Sequence, residues 1–288
     1  MQLSLQKLVT ERAQPRLGTL VSIRVEEMAD VEAHHAIDAA FEEIATVHRL
    51  MSFHDAASDV SRLNRSCEQP VAVHPYTFEV LDAALKFAAS SDGCFDISVG
   101  AELVEWGLLP RPADAARAPD GSWRDIELLN DGRVMFHRPL RIDLGGIAKG
   151  YAVDRATERL RTFGALQTVV NAGGDIRVQG RAEPIRLSAE TATETMPVLE
   201  LTDGSVASSS GHLLRRWING EVRGPHVHGA RRSAAPTDRF VCVTAERCMV
   251  ADALTKVVMA EGAESGGVLR EFGASGYLYD PKVGWRWL

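Results

Sequence analysis

The segment Ile142-Asp143-Leu144-Gly145-Gly146-Ile147-Ala148-Lys149-Gly150-Tyr151-Ala152-Val153-Asp154 constrains this chain most. Its pattern predicts a strand over Arg141–Leu144 that ends in an acid, then two glycines, then a helix from about Gly146 to Thr162. The glycines let backbone approach a ligand closely, and the first N–H groups of the helix are free to face an anion. Such a turn suits a phosphate or pyrophosphate, although glycines placed only for tight packing would read the same way. The spacing is neither Gly-x-Gly-x-x-Gly nor a P-loop, so those nucleotide folds are not supported. A second glycine turn, Asn171-Ala172-Gly173-Gly174-Asp175, lies between two short strands and reads as a hairpin needing positive φ.

Around these turns, helices and strands interleave without regular alternation. A helix is predicted from about Asp30, where Ile37, Phe41, Ile44, Val47 and Met51 recur at spacings of three and four. A second runs from about Tyr76 to Ser90 after Pro75, and a late one from about Cys248 to Glu261. Strand patterns occur at Leu20–Val25, Val134–Phe136, Thr168–Asn171, Ile176–Val178, Val198–Leu201, Val206–Ser208, Phe240–Val243, Tyr277–Tyr279 and Trp285–Trp287. The irregular order excludes a doubly wound sheet and points to an α+β fold with mixed sheets and packed helices. The expectation is one functional domain over residues 1–288, with a Pro-, Ala-, Arg- and Asp-rich surface loop at 110–121.

Several function classes fall away on composition. Hydrophobic residues at 45% and charged residues at 25% are ordinary for a packed core and unlike a disordered chain. No apolar run is long enough to span a bilayer. A net charge of −7 argues against a general nucleic-acid binder. Cys67, Cys94, Cys242 and Cys248 form no Cys-x-x-Cys pair and read as reduced, mostly buried thiols. The first residues carry no signal-peptide pattern, which predicts a cytoplasmic protein, or a periplasmic one if the sequence is a mature form.

Five blocks, taken in order, resemble the ApbE flavin transferase family. They are Met51-Ser52-Phe53-His54-Asp55 through Ser58-Asp59-Val60-Ser61-Arg62-Leu63-Asn64; Gly93-Cys94-Phe95-Asp96-Ile97-Ser98-Val99-Gly100 with Leu103 and Trp106-Gly107; the Asp143–Asp154 segment; Asn171–Asp175; and Ala251-Asp252-Ala253-Leu254-Thr255. The resemblance implies transfer of FMN from FAD to a Thr or Ser hydroxyl of an acceptor protein, with release of AMP. It implies flavin contacts at Met51, Trp106, Gly107, Leu108, Asp143, Gly145, Gly146 and Lys149, and a magnesium ion held at Gly146, Asp252 and Thr255. It also places a candidate general base at His226. A hard, oxygen-bound cation at the pyrophosphate would stabilise the developing charge, and a base would take the hydroxyl proton.

The chain departs from the family pattern at His54, at Gly229-Ala230 where Asp-Pro is usual, and at Lys256 where a hydroxyl residue is usual. Lys256 has two readings. It forms an i, i+4 ion pair with Asp252 on a surface helix, or its ammonium sits in the ligand shell of the metal and puts magnesium in doubt. On a regular helix Thr255 lies about 100° away from that position. His226 and His228 are read as same-face strand neighbours rather than a zinc pair. Two alternatives stay open: an FAD-binding protein that no longer transfers, and an FAD pyrophosphatase giving FMN and AMP.

Overall fold

The computed structural model describes residues 8–111, 120–187, 197–212, 214–218 and 220–288. Residues 112–119 of the expected surface loop and the first seven residues, on which the signal-peptide reading rests, lie outside them. The dominant element is an eight-stranded sheet whose spatial order follows the chain. Its strands are β1 (Val9–Arg16), β2 (Thr19–Glu26), β3 (Gln167–Ala172), β4 (Asp175–Gln179), β5 (Gly204–Ser210), β6 (Phe240–Ala245), β7 (Ser275–Asp280) and β8 (Gly284–Trp287). Every neighbouring pair in it is antiparallel. Four longer helices join it: α1 (Asp30–Met51), α2 (Pro75–Ser90), α3 (Ala148–Thr162) and α4 (Cys248–Glu261). This is the α+β architecture that the irregular element order predicts.

Period-2 alternation decides what each face of the sheet covers. Ala207, Val241, Val243 and Leu278 point into the main core with the helices. Their neighbours Val206, Phe240, Cys242 and Tyr279 enter a second cluster, beneath the hairpin of Glu183–Arg186 and Val198–Leu201. On the helical side α1 packs against α3, and α3 against α4. α1 buries Ile37, Phe41, Ile44, Val47 and Met51, the stripe that its spacing predicts. The glycine turn between β3 and β4 is a hairpin with φ of +65° at Gly173 and +102° at Gly174, and the Asn171 side chain accepts from the Gly174 N–H.

The expected strand at Arg141–Leu144 does not form. Arg141 makes a single parallel bridge to Val99, and the chain then turns. A side chain stands where a partner strand would. Asn64 donates to the Ile142 carbonyl at 2.9 Å and accepts from its N–H at 2.7 Å, so both ladder groups of that residue are used. The Asp143 N–H is taken by the Ile97 carbonyl. The helix begins at Ala148, two residues after the glycine pair.

Where α3 meets α4, each supplies a carboxylate to the other's first turn. Asp252 Oδ2 accepts from the Gly150 N–H at 3.0 Å, and Asp154 accepts from the N–H groups of Cys248 and Met249 at 2.9 and 3.0 Å. Each satisfies donors that a helix N-terminus leaves free. Neither Asp154 nor Asp252 is exposed to solvent. All four cysteines are unpaired, with Cys94, Cys242 and Cys248 buried. No helix among the described residues is long and apolar enough to cross a membrane.

The crossing requires Gly150. A Cβ there would collide with the Cys248 carbonyl and stand 2.8 Å from the Cβ of Asp252. Gly150→Ala should therefore destabilise the fold by roughly 1–3 kcal/mol, the cost of overpacking a close backbone contact. At Gly267, also helical, a Cβ meets nothing within 4 Å. Gly267→Ala should stay within about 0.5 kcal/mol of the native chain. Urea unfolding of both variants checks the pair, and equal midpoints would contradict the close crossing.

Candidate active site

The crossing end of α3 and α4 opens on a cleft of about 440 Å³. One half is apolar, lined by Phe95, Ile97, Val99, Leu103, Leu108 and Leu109. The other half is polar. It carries Asp143, the Gly145-Gly146 turn, Lys149 of α3, Ser208-Ser209-Ser210 at the end of β5, His226, and Lys256 of α4. The apolar half rests on a built loop. Asp96 accepts from the Ser98 N–H at 2.7 Å and from Arg232 at 3.0 Å. Burial raises the Asp96 carboxyl despite the facing guanidinium.

Four charges fill the floor of the polar half. Lys149 pairs with Asp175. Lys256 Nζ lies 2.5 Å from Asp252 Oδ1 and donates to Thr255 Oγ1 at 2.9 Å and to Ser209 Oγ at 3.2 Å. Burial and the nearby Asp252 charge push Asp175 up to about 6, against the pull of the lysines. For Asp252 burial acts the same way, but Lys149 and Lys256 overcome it and hold that carboxyl below its ordinary value. Lys149 is held above its ordinary value, because Asp252 and Asp175 outweigh its desolvation.

Asp143 is half-buried at the turn, and its Oδ2 accepts from the Gly145 N–H at 3.1 Å. Burial raises its carboxyl, with the Gly145 N–H and the His54 ring pulling the other way. His226 reaches the same space, and its Nε2 is buried with no hydrogen-bond partner. Burial drives the imidazole down to about 3, helped by the positive charge of Lys256. The ring is therefore neutral at ordinary pH, with a free nitrogen beside two ammonium groups.

The structure brings Leu108, Asp143, Gly145, Gly146, Lys149 and His226 to this one cleft. Met51 instead ends α1 inside the main core, and Trp106 is buried behind the apolar half against Val99, Leu103 and Val227. Gly107 turns the chain there with φ of +66°. His228 parts company with His226: its Nε2 lies 2.6 Å from Glu261 Oε1, in a group with Cys94. Arg231 approaches the same carboxylate at 3.6 Å, so the Glu261 charge is already answered.

Two expectations at the late helix change. Asp252 and Lys256 are not a surface pair, since Asp252 is fully buried and Lys256 lines the cleft. Nor does Thr255 turn away. Its Oγ1 is 2.8 Å from Ser209 Oγ, donates to the Asp252 carbonyl, and meets Lys256 Nζ, because β5 lies close enough for both side chains to converge on Ser209. These same atoms do not fit a magnesium ion. Asp252 Oδ1, Thr255 Oγ1 and the space over Gly146 are in contact with the Lys256 side chain, and Asp252 Oδ2 is committed to the Gly150 N–H. Sequence reasoning missed Asp175 as the partner of Lys149, and the serine run of β5 as a wall of the site. Three consecutive serines at a strand end were the available signal.

Residues 17–274 match the family model described as the ApbE family. An FAD:protein FMN transferase of Vibrio cholerae is 26% identical over 278 residues, covering 89% of this chain and 83% of that protein. One of Chlamydia pneumoniae is 27% identical over 262 residues, covering 84% and 79%. The crystal structure of the ApbE protein of Thermotoga maritima has a TM-score of 0.85 at 26% identity, covering 97% of this chain and 96% of that one. The apo flavinyl transferase ApbE of Pseudomonas stutzeri shares the fold, with a TM-score of 0.81 at 22% identity over 100% of this chain and 96% of that one. By a match over most of its length, this chain belongs to the ApbE family.

Proposed function

We propose that this chain transfers FMN from FAD to a hydroxyl of an acceptor protein and releases AMP. The observation that carries the reading is the divided cleft. Its apolar half suits a flat ring system, and two lysines at its other end suit a diphosphate. The names of the relatives support the same reaction. Asp143 and the Gly145-Gly146 turn position the nucleotide, and Lys149 and Lys256 answer its phosphate charge.

In the step itself the acceptor oxygen bonds to the FMN phosphorus, and the bond from that phosphorus to the bridging oxygen breaks. AMP leaves with the bridging oxygen and its added charge. The hydroxyl proton goes to His226 Nε2, the unpartnered nitrogen. An imidazole at about 3 is a weak base. Two phosphate charges entering beside it would offset the lysines and raise it, so substrate binding readies the base.

Asp143→Ala should weaken FAD binding by about 5- to 100-fold through loss of a charged polar contact, read by quenching of flavin fluorescence. His226→Ala should lower FMN attachment to a Thr-containing acceptor by about 10²- to 10⁴-fold while FAD binding is kept. Mass spectrometry of the products separates transfer from hydrolysis, since water as acceptor gives free FMN. Without FAD, the His226 ring signals in a nuclear magnetic resonance titration should stay flat from about pH 5 to about pH 8, and a midpoint should enter that window only when FAD is bound. A midpoint near the ordinary histidine value in the free protein would contradict the substrate-readied base.

A further inference from the structure

The three residues that the family resemblance offers to a divalent cation are all touched by one side chain. Lys256 Nζ donates to Asp252 Oδ1, Thr255 Oγ1 and Ser209 Oγ, so each of its three protons has an oxygen. Its stem crosses Gly146, where a Cβ would meet Lys256 Cε at 3.3 Å and Cγ at 3.5 Å. The ammonium thus occupies a ready-made nest of oxygens at the polar end of the cleft. Magnesium needs near-octahedral oxygen coordination, and a nitrogen with no lone pair sits inside that shell.

We propose that the Lys256 ammonium is the resident cation of the transfer site, and that this chain binds FAD and moves FMN without a divalent metal. The inference rests on the FMN-transfer reading. One fixed charge replaces two mobile ones, and Lys149, lining the same cleft from α3, supplies the second. Between them they face the two phosphates from two helices whose relative position is set by the Gly150 crossing. In the transfer step neither lysine is consumed. Each keeps its protons: Lys149, bonded to Asp175 alone, lends N–H donors to the phosphate oxygens, while Lys256, its three protons already held by oxygens, acts through its charge as AMP departs.

The test measures FAD affinity and FMN attachment with a chelator and with added magnesium, for the native chain, Lys256→Met and Lys256→Thr. The native chain should bind FAD equally in both conditions, and calorimetry should show no magnesium uptake by the FAD-loaded protein. Lys256→Met keeps an unbranched stem and loses the ammonium, so its FAD affinity should fall about 10- to 100-fold. Lys256→Thr should lose affinity in chelator and recover it with magnesium. Chelator-sensitive FAD binding or FMN attachment in the native chain would overturn the proposal, as would native affinity in Lys256→Met. If either variant fails to fold by circular dichroism, the chelator and calorimetry arms on the native chain decide alone. A native chain that binds no FAD in either condition would instead remove the FMN-transfer reading, and this inference with it.

Discussion

Two buried carboxylates hold α3 and α4 in register, and the cleft depends on that crossing. Asp154 caps α4 and Asp252 caps α3, so each helix N-terminus is satisfied by its neighbour rather than by water. Further cations steady Asp154: Arg177 at 2.5 Å and Arg247 at 3.5 Å. Removing one partner from such a buried set costs more than the set contributes as a whole, because the remaining charge is stranded. Gly150 permits the approach, and the positions of the two cleft lysines follow from it. Lys149 is the residue before Gly150, and Lys256 lies one turn beyond Asp252.

The crossing therefore fixes two cations at one end of the cleft, each with its carboxylate behind it. Two lysines and two aspartates balance, so the floor is neutral before an anion arrives. In the proposed reaction a diphosphate need not displace a carboxylate, since Lys149 keeps donors beyond its Asp175 pair and Lys256 acts through its charge. The same field explains the state of His226. Positive charge in front and burial around it leave the ring neutral, with one nitrogen unpartnered.

Much of this was legible in the sequence. The α1 stripe, the Pro75 start of α2 and the Gly173-Gly174 hairpin follow from local chemistry, because periodicity and positive φ are properties of neighbouring residues. The Asp143–Asp154 segment supplies Asp143, Gly145, Gly146 and Lys149 to the polar half of the cleft. What stayed hidden depends on residues far apart in the chain. Asn64 replaces a strand partner for Ile142 across 78 positions, and Asp175 answers Lys149 across 26. β1 went unread because Val9–Arg16 is polar and contains Pro15, a pattern that belongs at the edge of a sheet, where β1 indeed lies.

The Asp252–Lys256 pair shows why spacing alone could not settle its own meaning. At i, i+4 the two side chains meet on any helix, and on a surface they would contribute a few tenths of a kcal/mol at most. Here Asp252 is fully buried, so its charge must be compensated by something inside the site. A divalent ion and a lysine ammonium are alternative solutions to that one requirement, and they exclude each other because both need the same oxygens. The Gly150 N–H takes one oxygen of Asp252 whichever cation is present, leaving only Oδ1 to be shared. A lysine four residues on reaches that oxygen from its own helix, with no ion to bind from solution. Compensation of the buried Asp252 charge thereby becomes part of the fold.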